Sequence, residues 1–186
     1  MLQKTELARF EEMVLPHSGA AYNLARWITG NDHDAEDVVQ ESYLRALKFF
    51  GGFRGENIRP WLLTIVRNTC YTWLRQNRLS ELNTELDEEI HGREREPENP
   101  ESIFLAAAQS EMVRKAIEEL PPEFREVIIL REMEALSYKE IADIASIPVG
   151  TVMSRLARAK AHLRVRLLQP GTAVAAEGPR RASDGL

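Results

Sequence analysis

The sequence predicts an all-α protein built from two small helical domains joined by an acidic flexible linker. Three observations carry this expectation. Apolar residues recur at helical spacing on both sides of a central stretch, with no convincing strand and no internal repeat. That central stretch, Ser80 to Glu101, holds nine acidic and two basic residues, has Pro97 and Pro100, and shows little periodicity, which is linker composition. Finally, LSYKEIADIASIPVGTVMSRLARAKAHLRVRL (136–167) reads as two helices with a sharp turn between them, the second helix basic.

The elements follow in order. Residues 5–29 read as helical, with Leu7, Phe10 and Val14 on one face and a second segment from Pro16 that carries Tyr22, Leu24, Ala25 and Ile28. Gly30-Asn31 ends it, because glycine and asparagine tolerate the left-handed cap. Asp32 or Asp34 is expected to cap the next helix, with Glu36 and Asp37 at its positive end. That helix should bury Ala35, Val38, Val39, Ala46 and Leu47. Three glycines among residues 51–55 make a loop, since glycine holds a helix poorly.

Pro60 suits the start of the following helix, whose buried stripe is Trp61, Leu62, Ile65, Val66 and Thr69. Arg67, Asn68, Tyr71, Arg75 and Arg78 fall off that stripe and are expected on an exposed face. Interleaved cations and aromatics suit single-stranded nucleic acid, because bases stack on rings while phosphates are neutralised. Helix returns from Ser102 to Leu120, breaks at Pro121-Pro122 and resumes through PEFREVIILREME. The tail from Pro170 is expected to be disordered.

In 136–167, Ser137 followed by Glu140 is a capping box, with Leu136 and Ile141 placed as its hydrophobic staple. Pro148 should stop the first helix near Ser146, and Thr151 is expected to cap the second. Val152, Leu156, Ala159, Leu163 and Leu167 share one face, leaving Met153, Ser154, Arg155, Arg158 and Lys160 on the other. From Val149 to Leu168 there are five Lys/Arg and no Asp or Glu. Such a helix-turn-helix presents its second helix to a DNA major groove, N-terminal residues foremost. An amphipathic hairpin with a solvated basic face is the plainer alternative.

The charge map supports nucleic acid as a partner. Ser80 to Glu101 carries a net of −7, which leaves +2 for the rest of a chain whose total is −5. Arg59 to Leu79 adds a segment of four arginines and no acid. One cysteine, Cys70, excludes an internal disulfide framework and fits a reducing compartment. Neither Cys70 nor the four histidines approach a metal-ligand spacing, and no glycine-rich phosphate loop or nucleophile elbow occurs. No catalytic site, cofactor or metal is therefore expected. The polar N-terminus lacks a signal-peptide core and no apolar run approaches a membrane span, so the expected location is cytoplasmic, without a membrane partner.

Three stretches in this order, DAEDVVQESYLRAL (34–47), FRGENIRPWLLTIVRN (53–68) and LSYKEIADIASIPVGTVMSRLARAK (136–160), resemble the sigma-70 family of bacterial RNA polymerase sigma factors, specifically its small extracytoplasmic-function (ECF) group. The resemblance covers about residues 6–168. The last motif alone also resembles response-regulator output domains; the ordered set does not. The resemblance implies sigma region 2 over 1–79, an acidic linker over 80–101, sigma region 4 over 102–169 and a tail over 170–186.

It implies further that Asp34, Asp37, Gln40, Glu41 and Leu44 meet the clamp helices of the largest subunit of core RNA polymerase, with region 4 on the flap of the second-largest. Asp34 as a plain helix cap stands beside that reading. Phe53, Arg54 and Asn68 resemble the pocket for a base flipped out of the minus-ten element, with Arg67, Tyr71 and Arg75 along the separated strand. Phe53 tucked into the core is the alternative. Thr151, Met153, Ser154, Arg155, Arg158 and Lys160 fall where the minus-thirty-five element is recognised. Met153 stands where many relatives are basic, and Ala157 is small.

The implied function is promoter recognition and opening, with promoter DNA and an anti-sigma factor as further partners. The acidic linker would repel free DNA and occupy the polymerase's positively charged template and RNA-exit path. Replacing its acids with serine should then weaken early transcription, and unchanged initial transcripts would argue against that role. A stand-alone helix-turn-helix regulator would account for 136–168 but leaves the two earlier motifs unexplained.

Overall fold

The computed structural model describes residues 4–81 and 110–168. Among them every regular element is helical, as the apolar periodicity predicts. The first unit comprises α1 (Lys4–Val14), a 3-10 turn (Leu15–His17), α2 (Ser18–Thr29), α3 (Asp32–Phe50) and α4 (Ile58–Glu81). The second comprises α5 (110–118), α6 (Pro122–Ile128) running on into a π turn (Ile129–Met133), α7 (Tyr138–Ala145) and α8 (Val149–Leu168). The linker and tail expectations fall mostly outside the described residues, and α4 extends over the first two linker positions.

In the first unit α2, α3 and α4 pack on one another around Leu24, Ile28, Val38, Leu62, Leu63 and Val66. α1 closes this core with Phe10, which meets Phe50 edge to face at 5.3 Å. Leu7, expected on the same stripe, is exposed. Gly30 ends α2 at φ 93° and donates to the Arg26 carbonyl; its left-handed backbone is why glycine stands there. The cap of α3 is Asn31, whose Oδ1 accepts from the Asp34 amide at 2.8 Å, and neither Asp32 nor Asp34. On α3 the most buried residues are Ala35, Val38, Ser42, Ala46 and Phe50; Val39 and Leu47 are half-buried.

In the second unit α8 packs on α6 and α7 around Val127, Ile129, Leu130, Ile141, Ile144, Val152 and Leu156. The sequence reads PEFREVIILREME as one regular helix. The backbone instead widens at Ile129–Met133 and closes with Ala135 in the left-handed region at φ 52°. Arg131 Nη1 holds this exit by donating to the Leu136 carbonyl at 2.8 Å. π turns re-aim the residues that follow them, and here the re-aimed residue is the buried Glu134.

The two units share an interface, with α4 against α7 and α2 against α6. Their apolar residues form one continuous core.

Candidate nucleic-acid interface

Three surfaces hold the residues singled out by sequence. On α3, Asp37, Gln40, Glu41 and Leu44 are exposed on the outer face. Leu44 and Phe49 leave 64% and 58% of their surface to solvent and line a shallow groove with Glu41, Arg45 and Lys48. Glu41 pairs with Arg45 at 2.7 Å. Asp34 differs: its Oδ2 accepts from Asn31 Nδ2, so it braces the cap.

The second surface is the glycine loop and α4. Arg54 Nη1 donates to the carbonyls of Gly51 at 2.7 Å and Phe53 at 3.1 Å, folding the loop on itself. Phe53 packs on Trp61 with ring centroids 5.1 Å apart. A Cβ on Gly55 would stand 3.0 Å from the Phe53 ring, so a larger residue there would make the ring shift. Trp61 and Ile65, expected as core, are half-buried, while Leu63 and Cys70 join Leu62, Val66 and Thr69 inside. Asn68 and Arg75 are exposed, as expected.

Arg67 and Tyr71 are not on an exposed face, contrary to expectation. Arg67 Nε lies 3.2 Å from Glu126 Oε2 on α6, its Nη1 donates to Asn68 Oδ1 at 3.3 Å, and its guanidinium stacks on Tyr71 at 4.4 Å. Burial, and next the Glu126 carboxylate, push the Tyr71 phenol far above its ordinary range. The side chain of Arg78 lies outside the described residues. Cys70 is fully buried and its thiol is pushed up to about 12 by that burial, which makes it an inert core residue.

The helix-turn-helix is the third surface. The capping box is formed as read: Glu140 N donates to Ser137 Oγ at 3.2 Å and Ser137 N to Glu140 Oε2 at 2.8 Å. The Ser137 side chain, then its backbone, hold the Glu140 carboxyl below its ordinary value. α7 ends at Ala145 with Ser146 as its cap at φ 54°, near Ser146 as expected. α8 starts at Val149, and the Pro148 carbonyl accepts from the Thr151 and Val152 amides at 2.9 and 3.2 Å. Thr151 therefore sits inside the first turn and does not cap it. Its carbonyl accepts from Ser154 Oγ at 3.0 Å.

Met153, Ser154, Arg158 and Lys160 are exposed, Lys160 pairing with Glu132 at 2.9 Å. Arg155 turns inward, 3.6 Å from Glu126. Glu126 and Glu134 were missed by sequence reasoning. The one available signal was an acid inside the apolar run VIIL and its flanks, where an unpaired carboxylate is costly.

Residues 13–79 match the model for sigma-70 region 2 and residues 110–163 that for sigma-70 region 4. The ECF RNA polymerase sigma-E factor of Salmonella typhimurium is 34% identical over 167 residues, covering 86% of each chain. The chain belongs to the ECF group of sigma-70 family sigma factors. SigE of Mycolicibacterium smegmatis is 32% identical over 83% of this chain, which spans 60% of that longer relative.

Among solved structures, the sigma factor RpoE of Bartonella quintana, in complex with the anti-sigma factor NepR, aligns with a TM-score of 0.70 at 26% identity, covering 88% of this chain and 99% of that one. CnrH, in complex with the cytosolic domain of CnrY, aligns at 0.58 and 25% identity, covering 85% and 86%. As an ECF sigma factor the chain is an initiation subunit that binds core RNA polymerase, directs it to promoters and helps open the DNA. The match to sigma region 2 falls in the first unit and the match to sigma region 4 in the second. No helix among the described residues is long and apolar enough to cross a membrane.

Proposed function

We propose that this ECF sigma factor divides its work among the three surfaces and leaves chemistry to the core enzyme. The α3 face carries core binding through Asp37, Gln40, Glu41 and Leu44, with Asp34 as its brace. What supports this is the exposure of large apolar side chains beside acids on one helix face. Region 4 meets the flap in the same assembly.

The glycine loop and α4 trap the unpaired minus-ten strand. Asn68 lies two turns along α4 from Trp61, on the same face, and its amide offers both a donor and an acceptor to a base edge. Phe53, backed by Trp61, supplies the ring wall. Arg54 shapes the loop, and Arg67, Tyr71 and Arg75 follow the strand. Extruded bases gain these contacts only after melting, so binding favours the open state.

α8 reads the minus-thirty-five duplex through Met153, Ser154 and Arg158, with Thr151 and Lys160 at the edges. Arg155, turned towards Glu126, positions the helix and does not read bases. An exposed arginine bonded to a guanine edge contributes about 1–3 kcal/mol of discrimination. The observation that carries the proposal is one chain holding an exposed Asn68 on region 2 and an acid-free exposed reading face on region 4. An anti-sigma partner covering the α3 face fits the same exposure, and sigma factors of this fold are seen with such partners.

The test is strand opening by the holoenzyme on a promoter carrying 2-aminopurine in its minus-ten element. Asn68→Ala should abolish the fluorescence rise while retaining core binding. An unchanged rise would refute the assigned pocket.

A further inference from the structure

Adjacent residues of a helix point about 100° apart, so their side chains rarely meet. Arg67 and Asn68 do meet: Arg67 Nη1 donates to Asn68 Oδ1 at 3.3 Å. A guanidinium carries donors and no acceptor, so only the carbonyl oxygen of the amide can face it. The Asn68 NH2 group is thereby turned away from Arg67, on a side chain that is exposed to solvent.

Arg67 is itself held on two sides. Its guanidinium stacks on the Tyr71 ring at 4.4 Å, one turn further along the same helix. Across the seam between the two units its Nε lies 3.2 Å from Glu126 Oε2, and its side chain is only 17% exposed. Tyr71 belongs to α4, so this stack holds the guanidinium in place from within region 2 and leaves Nη1 for Asn68.

We propose that Arg67 is a positioning residue that sets which bases Asn68 reads, by locking the order of acceptor and donor on its amide. The inference rests on the reading of Asn68 as the base contact. Along the Watson–Crick edge adenine and cytosine present an amino donor followed by a ring-nitrogen acceptor. Guanine and thymine present the reverse, a carbonyl acceptor followed by a ring N–H. An amide held one way round matches one pair with two hydrogen bonds, using the Oδ1 lone pair that Arg67 leaves over. Against the other pair it sets donor to donor and acceptor to acceptor. An amide free to turn over would match both, but turning over here places NH2 against a guanidinium, two donors with nothing to accept.

This role separates from a phosphate contact. A guanidinium that only neutralised the strand would raise affinity for all four bases alike, since phosphate contacts carry no sequence information. One that orients Asn68 changes the ranking of the bases at a single position and leaves the others as they are.

The test uses holoenzyme, assembled from core RNA polymerase and the full chain, to capture strands from a single-stranded DNA pool of random sequence, which are then sequenced. Wild type should show one position where both amino bases or both keto bases are enriched about tenfold over the other pair, the lower part of what a bidentate base contact contributes. Asn68→Ala should bring that position to parity while the remaining positions keep their ranking. Arg67→Gln, which keeps most of the side-chain volume and can meet the amide either way round, should do the same, as should Arg67→Ala. A wild type without such a position overturns the proposal. Undiminished contrast in both Arg67 variants, with weaker capture of every strand, overturns the positioning role and makes Arg67 a phosphate contact. Contrast that survives Asn68→Ala overturns the pocket reading instead.

Discussion

Glu126→Ala should destabilise this sigma factor more than any substitution of a single arginine at the seam. Its carboxylate is wholly buried and lies 3.2 Å from Arg67 and 3.6 Å from Arg155, whose side chains are 17% and 24% exposed. Removing one member of a buried pair costs about 3–5 kcal/mol, because the remaining charge is left without partner or water. The partial exposure of both guanidiniums lets some water return and lowers this to about 2–4 kcal/mol. At about 2–4 °C per kcal/mol for a chain of this size, the melting temperature should fall by about 4–16 °C. Arg67→Ala leaves Glu126 with Arg155 and should cost less, about 1–2 kcal/mol. In the double variant the two losses should fall short of additivity by about 1–2 kcal/mol. The assay is urea unfolding of all four chains followed by far-ultraviolet circular dichroism. Additivity within about 0.3 kcal/mol would refute the account of the seam.

Other outcomes follow from local geometry. Ser137→Ala removes the α7 cap and should cost about 1 kcal/mol by the same unfolding assay. Because the folded Glu140 carboxyl is held below its ordinary value, its contribution is complete above the unfolded value of about 4.3 and fades as pH falls through the lower folded value. The wild type should thus lose its advantage over Ser137→Ala in acid titrations. Gly30→Ala forces a Cβ onto φ 93° and should cost about 1–2 kcal/mol by thermal melting. Cys70, fully buried with its thiol pushed up to about 12, should resist Ellman's reagent at pH 8 until urea unfolds the chain; prompt labelling of the native protein would contradict that placement.

What sequence showed and what it hid divide by the distance over which a signal acts. The capping box is written in two residues three apart, and the structure forms both of its bonds. The helical stripes of α2, α3 and α8 were legible because burial repeats with the helical period. Caps of α3 and α8 were misplaced because Asn31, Asp32 and Asp34 are all competent acceptors, and because the Pro148 carbonyl does what a Thr151 side chain was expected to do. The π turn left no trace in the apolar pattern, since it adds one residue to a turn without changing residue type.

The seam was illegible for a different reason. Glu126 and Arg67 stand 59 residues apart, and Arg59 and Glu134 stand 75 apart, so no local pattern pairs them. Arg67 and Tyr71 were assigned to an exposed face from α4 alone, whereas Arg67 meets Glu126 on α6 and Tyr71 packs against the core. Region 4 thus covers part of that face.

Run-off transcription with core RNA polymerase, on a pool of genomic promoter fragments, tests the central claim most directly. Adding this chain should produce discrete transcripts that vanish with Asn68→Ala and weaken with Arg158→Ala. Tight duplex binding by the chain alone, with no core-dependent transcript, would contradict the account.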